Sequence, residues 1–213
     1  MEPTVPPARS KAPGPVPRVT LRHPIARDRD EVVSLLNRSR DHLIPWWSTA
    51  RGYDGEGFDP CATFERLLES ANIPLCERFL VCRKDTRTVL GCVSVSNISR
   101  GAFESCTLGY WAGVDGLGQG LMTEAVALMV RHVFRDLRLH RVEANIMPRN
   151  VPSTLLVQRL GFREEGLARR YIRINYQWED HVRWAMTLED FDRLVASGSF
   201  PFTTAPGAHS PGH

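Results

Sequence analysis

Leu-Gly-Tyr-Trp-Ala-Gly-Val-Asp-Gly-Leu-Gly-Gln-Gly-Leu-Met-Thr-Glu, residues 108–124, changes character twice. It begins inside a strand-like run, Thr107 to Val114, passes through glycines at 116, 118 and 120, and continues into a long amphipathic helix. Glycines on alternate positions let the main chain approach a bound group closely and adopt positive φ. The first N–H groups of the helix have no acceptor inside it, and with the macrodipole they offer a phosphate or diphosphate several converging donors. This is the layout of an anion cradle between a strand and a helix.

Three readings of that cradle compete. A P-loop ends in Gly-Lys-Ser/Thr, whereas Gly120, Leu121 and Met122 stand here, and this excludes it. A dinucleotide fingerprint needs a third glycine where Thr123 sits, although Glu143 lies at a tolerable distance for an acid that binds ribose. A ligand-free strand-to-helix turn also satisfies a short Gly-x-Gly taken alone.

The blocks on either side separate these readings. Leu-Gly-Tyr-Trp from Leu108, Gly-Gln-Gly-Leu-Met-Thr-Glu-Ala from Gly118, His-Arg-Val-Glu-Ala-Asn-Ile-Met-Pro-Arg-Asn from His140, Gly-Phe-Arg-Glu-Glu-Gly from Gly161 and Trp-Glu-Asp-His from Trp178 occur in that order. Together they resemble the Gcn5-related N-acetyltransferase (GNAT) superfamily, in its branch of RimJ/RimL-type ribosomal-protein N-terminal acetyltransferases. The family's loop pattern, Gln/Arg-x-x-Gly-x-Gly/Ala, falls on Leu117 to Met122; Gly120 matches it, and Leu117 and Met122 depart from the outer positions.

The resemblance implies an α+β fold, the GNAT fold, with a mixed, mostly antiparallel central sheet, splayed strands and helices on both faces. It implies acetyl-CoA as cosubstrate, its pantetheine arm bonded by the main chain of Trp111, Ala112 and Gly113 where the strand splays at a bulge. Gly118, Gln119, Gly120, Leu121, Met122 and Thr123 would hold the diphosphate, and Asn150 would lie beside the coenzyme. Many relatives carry a tyrosine four residues before the Gly-Phe glycine to protonate the leaving thiolate; Val157 occupies that position here. Ser153 is the expected replacement, since a rotatable hydroxyl can donate to a developing thiolate. Asn150 and Ser153 are equally explained as the first residues of a helix.

Composition bounds the rest. With 213 residues, 42% hydrophobic and 24% charged, the chain suits one soluble domain with a proper core. A formal charge of +3 is too small to argue for nucleic acid. No apolar run is long enough for a membrane span, and the Pro-rich start lacks the core of a signal peptide, so a cytoplasmic protein without membrane or direct nucleic-acid partners is expected. Cys61, Cys76, Cys82, Cys92 and Cys106 form no Cys-x-x-Cys pair and are expected as buried free thiols, with no metal site.

Along the chain, residues 1–17 are expected as a disordered tail, 18–198 as the N-acetyltransferase domain, and 199–213 as a second disordered tail. Val19 to His23 reads as a first strand. Asp28, with Glu31 at the capping-box position, is placed to cap a helix ending near Arg40. His42 to Phe58 carries Pro45, Trp46, Trp47 and Tyr53; its tryptophans fill a core edge or, by the resemblance, wall an acceptor groove. Asp59 and Pro60 start a second helix with Phe64, Leu67, Leu68 and Ala71 inward.

Phe79–Arg83 and Val89–Asn97 read as a hairpin, and Arg141–Met147 as a later strand. Met122, Ala125, Val126, Met129 and Val133 form the core stripe of the helix after the loop. Tyr171–Ile174 and Gln177–Trp184 read as a terminal hairpin turning at Asn175 and Tyr176, followed by a short helix near Glu189 to Ala196. Asp180 and His181, neighbours in a strand, point to opposite faces and need not act as a pair.

No Ser-His-Asp or Cys-His constellation appears, which favours direct attack by an amine over an acyl-enzyme. Glu104, Glu143 and Asp180 are the candidate proton acceptors. An α-amine ionises near 8 and a lysine near 10.4, so at pH 7.4 neutralising the lysine costs ~4 kcal/mol and the α-amine less than about 1. A site without a strong base is therefore suited to a protein or peptide N-terminus, with ribosomal proteins as the resemblance implies. A small amine such as a polyamine or aminoglycoside, or acyl-CoA binding without turnover, are the alternatives, and the chain is expected as a monomer or homodimer.

Overall fold

The computed structural model describes residues 16–48, 57–69 and 73–202. Most of both expected tails, and the single positions Tyr53 and Ala71, lie outside the described residues. Strands β1 (Val19–Arg22), β2 (Glu77–Arg83), β3 (Val89–Ser99), β4 (Ser105–Ala112), β5 (Arg141–Ile146), β6 (Arg163–Ile174) and β7 (Gln177–Thr187) form one sheet in the order β1-β2-β3-β4-β5-β7-β6. Neighbours are antiparallel except β4 and β5, which run parallel. Parallel neighbours need a crossover, and α4 (Leu121–Arg135) supplies it.

The period-two alternation of the strands divides the interior. Leu80, Cys82, Val89 and Cys92 pack with Val32, Leu35, Leu36, Phe64 and Leu67 of α1 (Arg29–Arg38) and α3 (Pro60–Glu69); the short α2 (Arg40–Leu43) lies on the same side. Val81, Val93, Val95, Leu108, Val142, Ala144 and Ile146 pack with α4, α5 (Val151–Arg159) and α6 (Leu188–Ser197). Helices thus cover both faces of a mixed, mostly antiparallel sheet, as the family resemblance implied. Ala125, Val126, Met129 and Val133 of the expected stripe are fully buried, but Met122 is only partly buried and Leu121 takes the core position at the helix start. The Leu, Val and Met side chains each gain about 1.5–3 kcal/mol on burial, which anchors α4 across the sheet.

Several local expectations are corrected. Asp28 makes no side-chain cap bond to α1; its buried carboxylate accepts from Ile25 N at 2.9 Å and from both Arg22 amines at 2.6 and 2.8 Å, because a charged guanidinium is a stronger partner than a helix N–H. Glu31 leaves the helix end to accept from Val89 N at 2.7 Å. β4 stops at Ala112, and Val114 enters a 3-10 turn, Val114–Gly116. β6 begins at Arg163, well before Tyr171, and takes in Glu164 and Glu165; a register shift between Ala168 and Ile172 hides its period from the sequence. The packed domain also passes the expected boundary at 198: Phe200 is buried with its ring 4.9 Å from Phe191.

Candidate active site

β4 and β5 pair only from Ser105↔Arg141 to Leu108↔Ala144. Beyond Leu108 the strands part, and a cavity of about 1460 Å³ lies in and around the opening. The parting comes without the expected bulge, since β4 keeps an unbroken register with β3 from Thr107 to Ala112. Gly113 N–H donates to Leu90 O at 2.8 Å, toward β3. By the alternation of an antiparallel strand, Tyr110 and Ala112 therefore turn their main-chain N–H and C=O into the gap, and Trp111 turns its own toward β3.

This sorts the first three candidate cofactor residues. Ala112 offers main-chain groups to a ligand between the strands. Trp111 lines the cavity with its side chain, its ring 6.4 Å from Trp47. Gly113 is tied into the core: a Cβ there would stand 2.3 Å from Leu35 Cδ1, so packing alone already requires a glycine. Tyr110, which sequence reasoning passed over, lines the cavity and donates its phenol to Ser153 O at 3.4 Å. Burial pushes that phenol up to about 12, against the Ser153 hydrogen bond, so it stays protonated. Its position, one residue before Trp111 on the opposite face of β4, was the available signal.

The glycine loop is held open from outside. Gly118 and Gly120 have φ of 70° and 73°, and Gly120 is the N-cap of α4. A Cβ on Gly118 would meet nothing within 4 Å, and one on Gly120 only Arg18 Nη2 at 3.7 Å. The space above both glycines is clear, and the N–H groups of Leu121, Met122 and Thr123 begin the helix without an intrahelical acceptor. That combination fits a diphosphate. Leu121 buries its side chain in the core, whereas Met122 and Thr123 line the cavity.

Gln119 does not turn its side chain to the cavity. Its Nε2 donates to Asp115 O at 3.0 Å, and its Oε1 accepts from Arg83 at 3.0 Å. Arg18 Nη2 donates to Gln119 O at 2.8 Å, while Arg18 main-chain N and Nε donate to Glu124 at 2.7 and 2.6 Å. At the loop's other end, Ser39 Oγ accepts from Val114 N at 3.0 Å, and Arg38 bonds Asp115 at 2.6 Å. These contacts, from residues far apart in sequence, brace the cradle.

Asn150 and Ser153 open α5 at the edge of the same cavity. Asn150 Oδ1 accepts from Ser153 main-chain N at 3.3 Å, so the cap bond leaves the Ser153 hydroxyl uncommitted. Val157, where many relatives carry a tyrosine, is fully buried.

On the α1–α3 side of the sheet the cavity floor is polar, with Ser94, Ser96, Thr107, Asn145 and His181 among its lining. Asn145 Oδ1 is buried and has no hydrogen-bond partner. Trp46 and Trp47 both wall this part: Trp47 also packs in the core, 4.8 Å from Phe58, and Trp46 lies under the Arg149 guanidinium at 6.0 Å. Asn175 N–H donates to Trp47 O at 3.2 Å, joining that wall to the β6–β7 turn.

The three candidate proton acceptors are not among the lining residues. Glu104 sits in the turn before β4, where its carbonyl accepts from His140 and Arg141. Glu143 is held by Arg141 Nε at 2.8 Å and Arg183 Nη2 at 3.0 Å; burial pushes its carboxyl up, but the two guanidiniums outweigh this and hold it below the usual range. Asp180 Oδ1 accepts from Arg170 N at 2.7 Å, securing the irregular stretch of β6. Cys92 lines the cavity, but burial pushes its thiol up to about 12, which removes it as a nucleophile.

The comparisons agree with this geometry. Residues 18–163 match the family model described as an acetyltransferase (GNAT) domain. The [ribosomal protein uS5]-alanine N-acetyltransferase of Escherichia coli (strain K12) is 43% identical over 107 residues, 50% of this chain and 55% of that protein. The probable N-acetyltransferase YjcK of Bacillus subtilis is 45% identical over 93 residues, 44% of this chain and 51% of that one. The chain thus spans about half the length of the curated relatives it matches. Mycobacterium smegmatis RimJ, solved in complex with CoA-disulfide, superimposes with a TM-score of 0.72 at 30% identity, covering 85% of this chain and 90% of the other. With a family model matched across most of its length, a CoA-bound relative in shape and a parted parallel strand pair beside an open glycine cradle, the chain belongs to the GNAT acetyltransferase family.

Proposed function

We propose that this protein transfers the acetyl group of acetyl-CoA to the α-amine at a protein N-terminus. The observation that carries the choice of acceptor is the charge of the cavity. Arg66, Arg78 and Arg159 line it, and Asp59 is the carboxylate among its described lining residues. Asp59 is already engaged in capping Ala62 N at 3.0 Å. A polyamine carries several positive charges and needs carboxylates along its path, whereas a peptide terminus brings one amine and a run of neutral amides. Asn145 Oδ1, a buried acceptor without a partner, suits an incoming N–H.

The named activity of the Escherichia coli relative, acting on alanine of ribosomal protein uS5, supports the same reading. The spermidine N-acetyltransferase of Vibrio cholerae shares the fold at 20% identity and supports nothing beyond it. An acceptor among ribosomal proteins would place the enzyme in the cytoplasm; among the described residues no helix is long and apolar enough to cross a membrane.

In this reading the thioester lies between β4 and β5, and the amine reaches it from the α1–α3 side. Main-chain donors at the gap stabilise the oxyanion, the new C–N bond forms as the C–S bond breaks, and the Ser153 hydroxyl donates to the departing sulfur. Thiol release should be measured with peptides beginning in Ala or Ser, with spermidine and with an aminoglycoside. Product from the peptides at well above the spermidine rate supports the proposal. Product from small amines alone, or coenzyme binding without product, overturns it.

A further inference from the structure

We infer that His181 is the group that takes the proton from the attacking amine. The inference rests on the acetyl-transfer reading above and supplies the proton acceptor that Glu104, Glu143 and Asp180 do not.

His181 stands on β7 immediately before Val182, which pairs with Ile146 at the end of β5. That is the end of β5 from which β4 has already parted. The residue is 3% exposed and lines the cavity. On β7 it shares its face with Arg183, which pairs with Asn145, so it lies on the polar floor from which the acceptor would approach rather than on the α4–α6 side. In the reading above the amine enters from this side of the sheet, so this is where a base is needed.

The tautomer is set by the backbone. His181 Nδ1 is 3.0 Å from the Glu179 carbonyl, an oxygen that only accepts, so Nδ1 carries the hydrogen and Nε2 carries the lone pair. Among the described residues no group is bonded to Nε2. Tyr171, at the end of the irregular stretch of β6, sets its ring 6.2 Å from the imidazole in an edge arrangement. Burial pushes the imidazole below its ordinary value; the Glu179 carbonyl and the charges of Glu179 and Asp180 oppose this, and Arg149, paired with Glu179 at 2.8 Å, adds to it. A neutral imidazole at pH 7 is the required form.

The chemistry balances without another reagent. The neutral amine attacks the thioester carbonyl, and its nitrogen becomes strongly acidic as the C–N bond forms. Nε2 takes that proton, and the C–S bond breaks with its electron pair on sulfur. A weak base suffices because the acceptor nitrogen acidifies during the step.

The test is the pH profile of His181→Asn, whose side-chain amide keeps a donor near the Glu179 carbonyl but has no basic nitrogen. Using the full chain and whichever amine the wild type acetylates, kcat should fall about 100-fold. The wild-type loss of kcat on the acid side, at pH lower than the ordinary imidazole value because burial depresses His181, should vanish in the variant, while calorimetric CoA affinity stays unchanged. His181→Gly should regain turnover in proportion to added imidazole. Wild-type turnover with His181→Asn within threefold of it and the same acidic limb would overturn the inference alone. If the variant does not fold, absence of imidazole rescue in a folded His181→Gly overturns it. Absence of any wild-type turnover would instead sink the proposed activity.

Discussion

The phenol of Tyr110 reaches 3.4 Å across the parting of β4 and β5 to the main-chain carbonyl of Ser153. A side chain from the strand that opens the sheet thus positions the first turn of the helix that bears the candidate acid. Ser153→Ala keeps both this contact and the cap, because Asn150 and Tyr110 bond the main chain of residue 153. It should lower kcat at least about tenfold, a loss of about 1.4 kcal/mol in transition-state stabilisation, with little change in melting temperature. A drop in melting temperature at full kcat would assign the serine to the helix alone.

Gly120→Ala should weaken coenzyme binding. The new Cβ enters the space above the cradle, and at φ 73° an L-residue also costs about 1–2 kcal/mol. Gly101, at φ 70° with nothing within 4 Å, provides the control. Gly101→Ala should show a similar backbone cost in thermal melts and an unchanged Kd for CoA; equal Kd values for both variants would remove the loop from the site.

Gly113→Ala should behave in the opposite way. Its Cβ would press on Leu35 at 2.3 Å, and overpacking costs about 1–3 kcal/mol. The melting temperature should fall, and it should fall less when the same change is made in a Leu35→Ala background, where the clash is gone. An equal fall in both backgrounds, with weakened CoA binding, would return Gly113 to the coenzyme.

Acid should loosen the sheet through Glu143. Its folded-state carboxyl is held below the usual range, so it binds its proton more readily when unfolded. The stabilisation is complete above the unfolded value, near 4.5, and is lost as pH falls through the lower folded one. Glu143→Gln should cost about 1–3 kcal/mol at pH 7, nearer the lower figure because Arg183 is partly exposed, and should flatten the acid limb of a denaturation series. An acid limb equally steep in the variant would place the sensitivity elsewhere.

The strand, glycine loop and helix from Leu108 to Arg135 were legible locally, because alternation, positive-φ glycines and a 3.6-residue stripe are short-range properties. So was the Asn150 cap. The Asp28 cap was misread because its real partner, Arg22, reaches it through a fold-specific contact. The side-chain partners of Gln119, Arg83 Nη1 and the Asp115 carbonyl, were equally out of reach of a local reading. The irregular stretch of β6, which carries Tyr171 to His181, breaks the period that would have announced it.

By itself the sequence determined the order of elements, the place of the anion cradle and the apolar stripe of α4, since each follows from the spacing of side chains along one segment. Which strands would part, which face would receive the acceptor, and which of Asp180 and His181 would look into the cavity were decided only in three dimensions. Those answers depend on hydrogen-bond partners drawn from distant strands: β4 stays with β3 while releasing β5, and Asp180 is taken by Arg170 while His181 is left facing the opening.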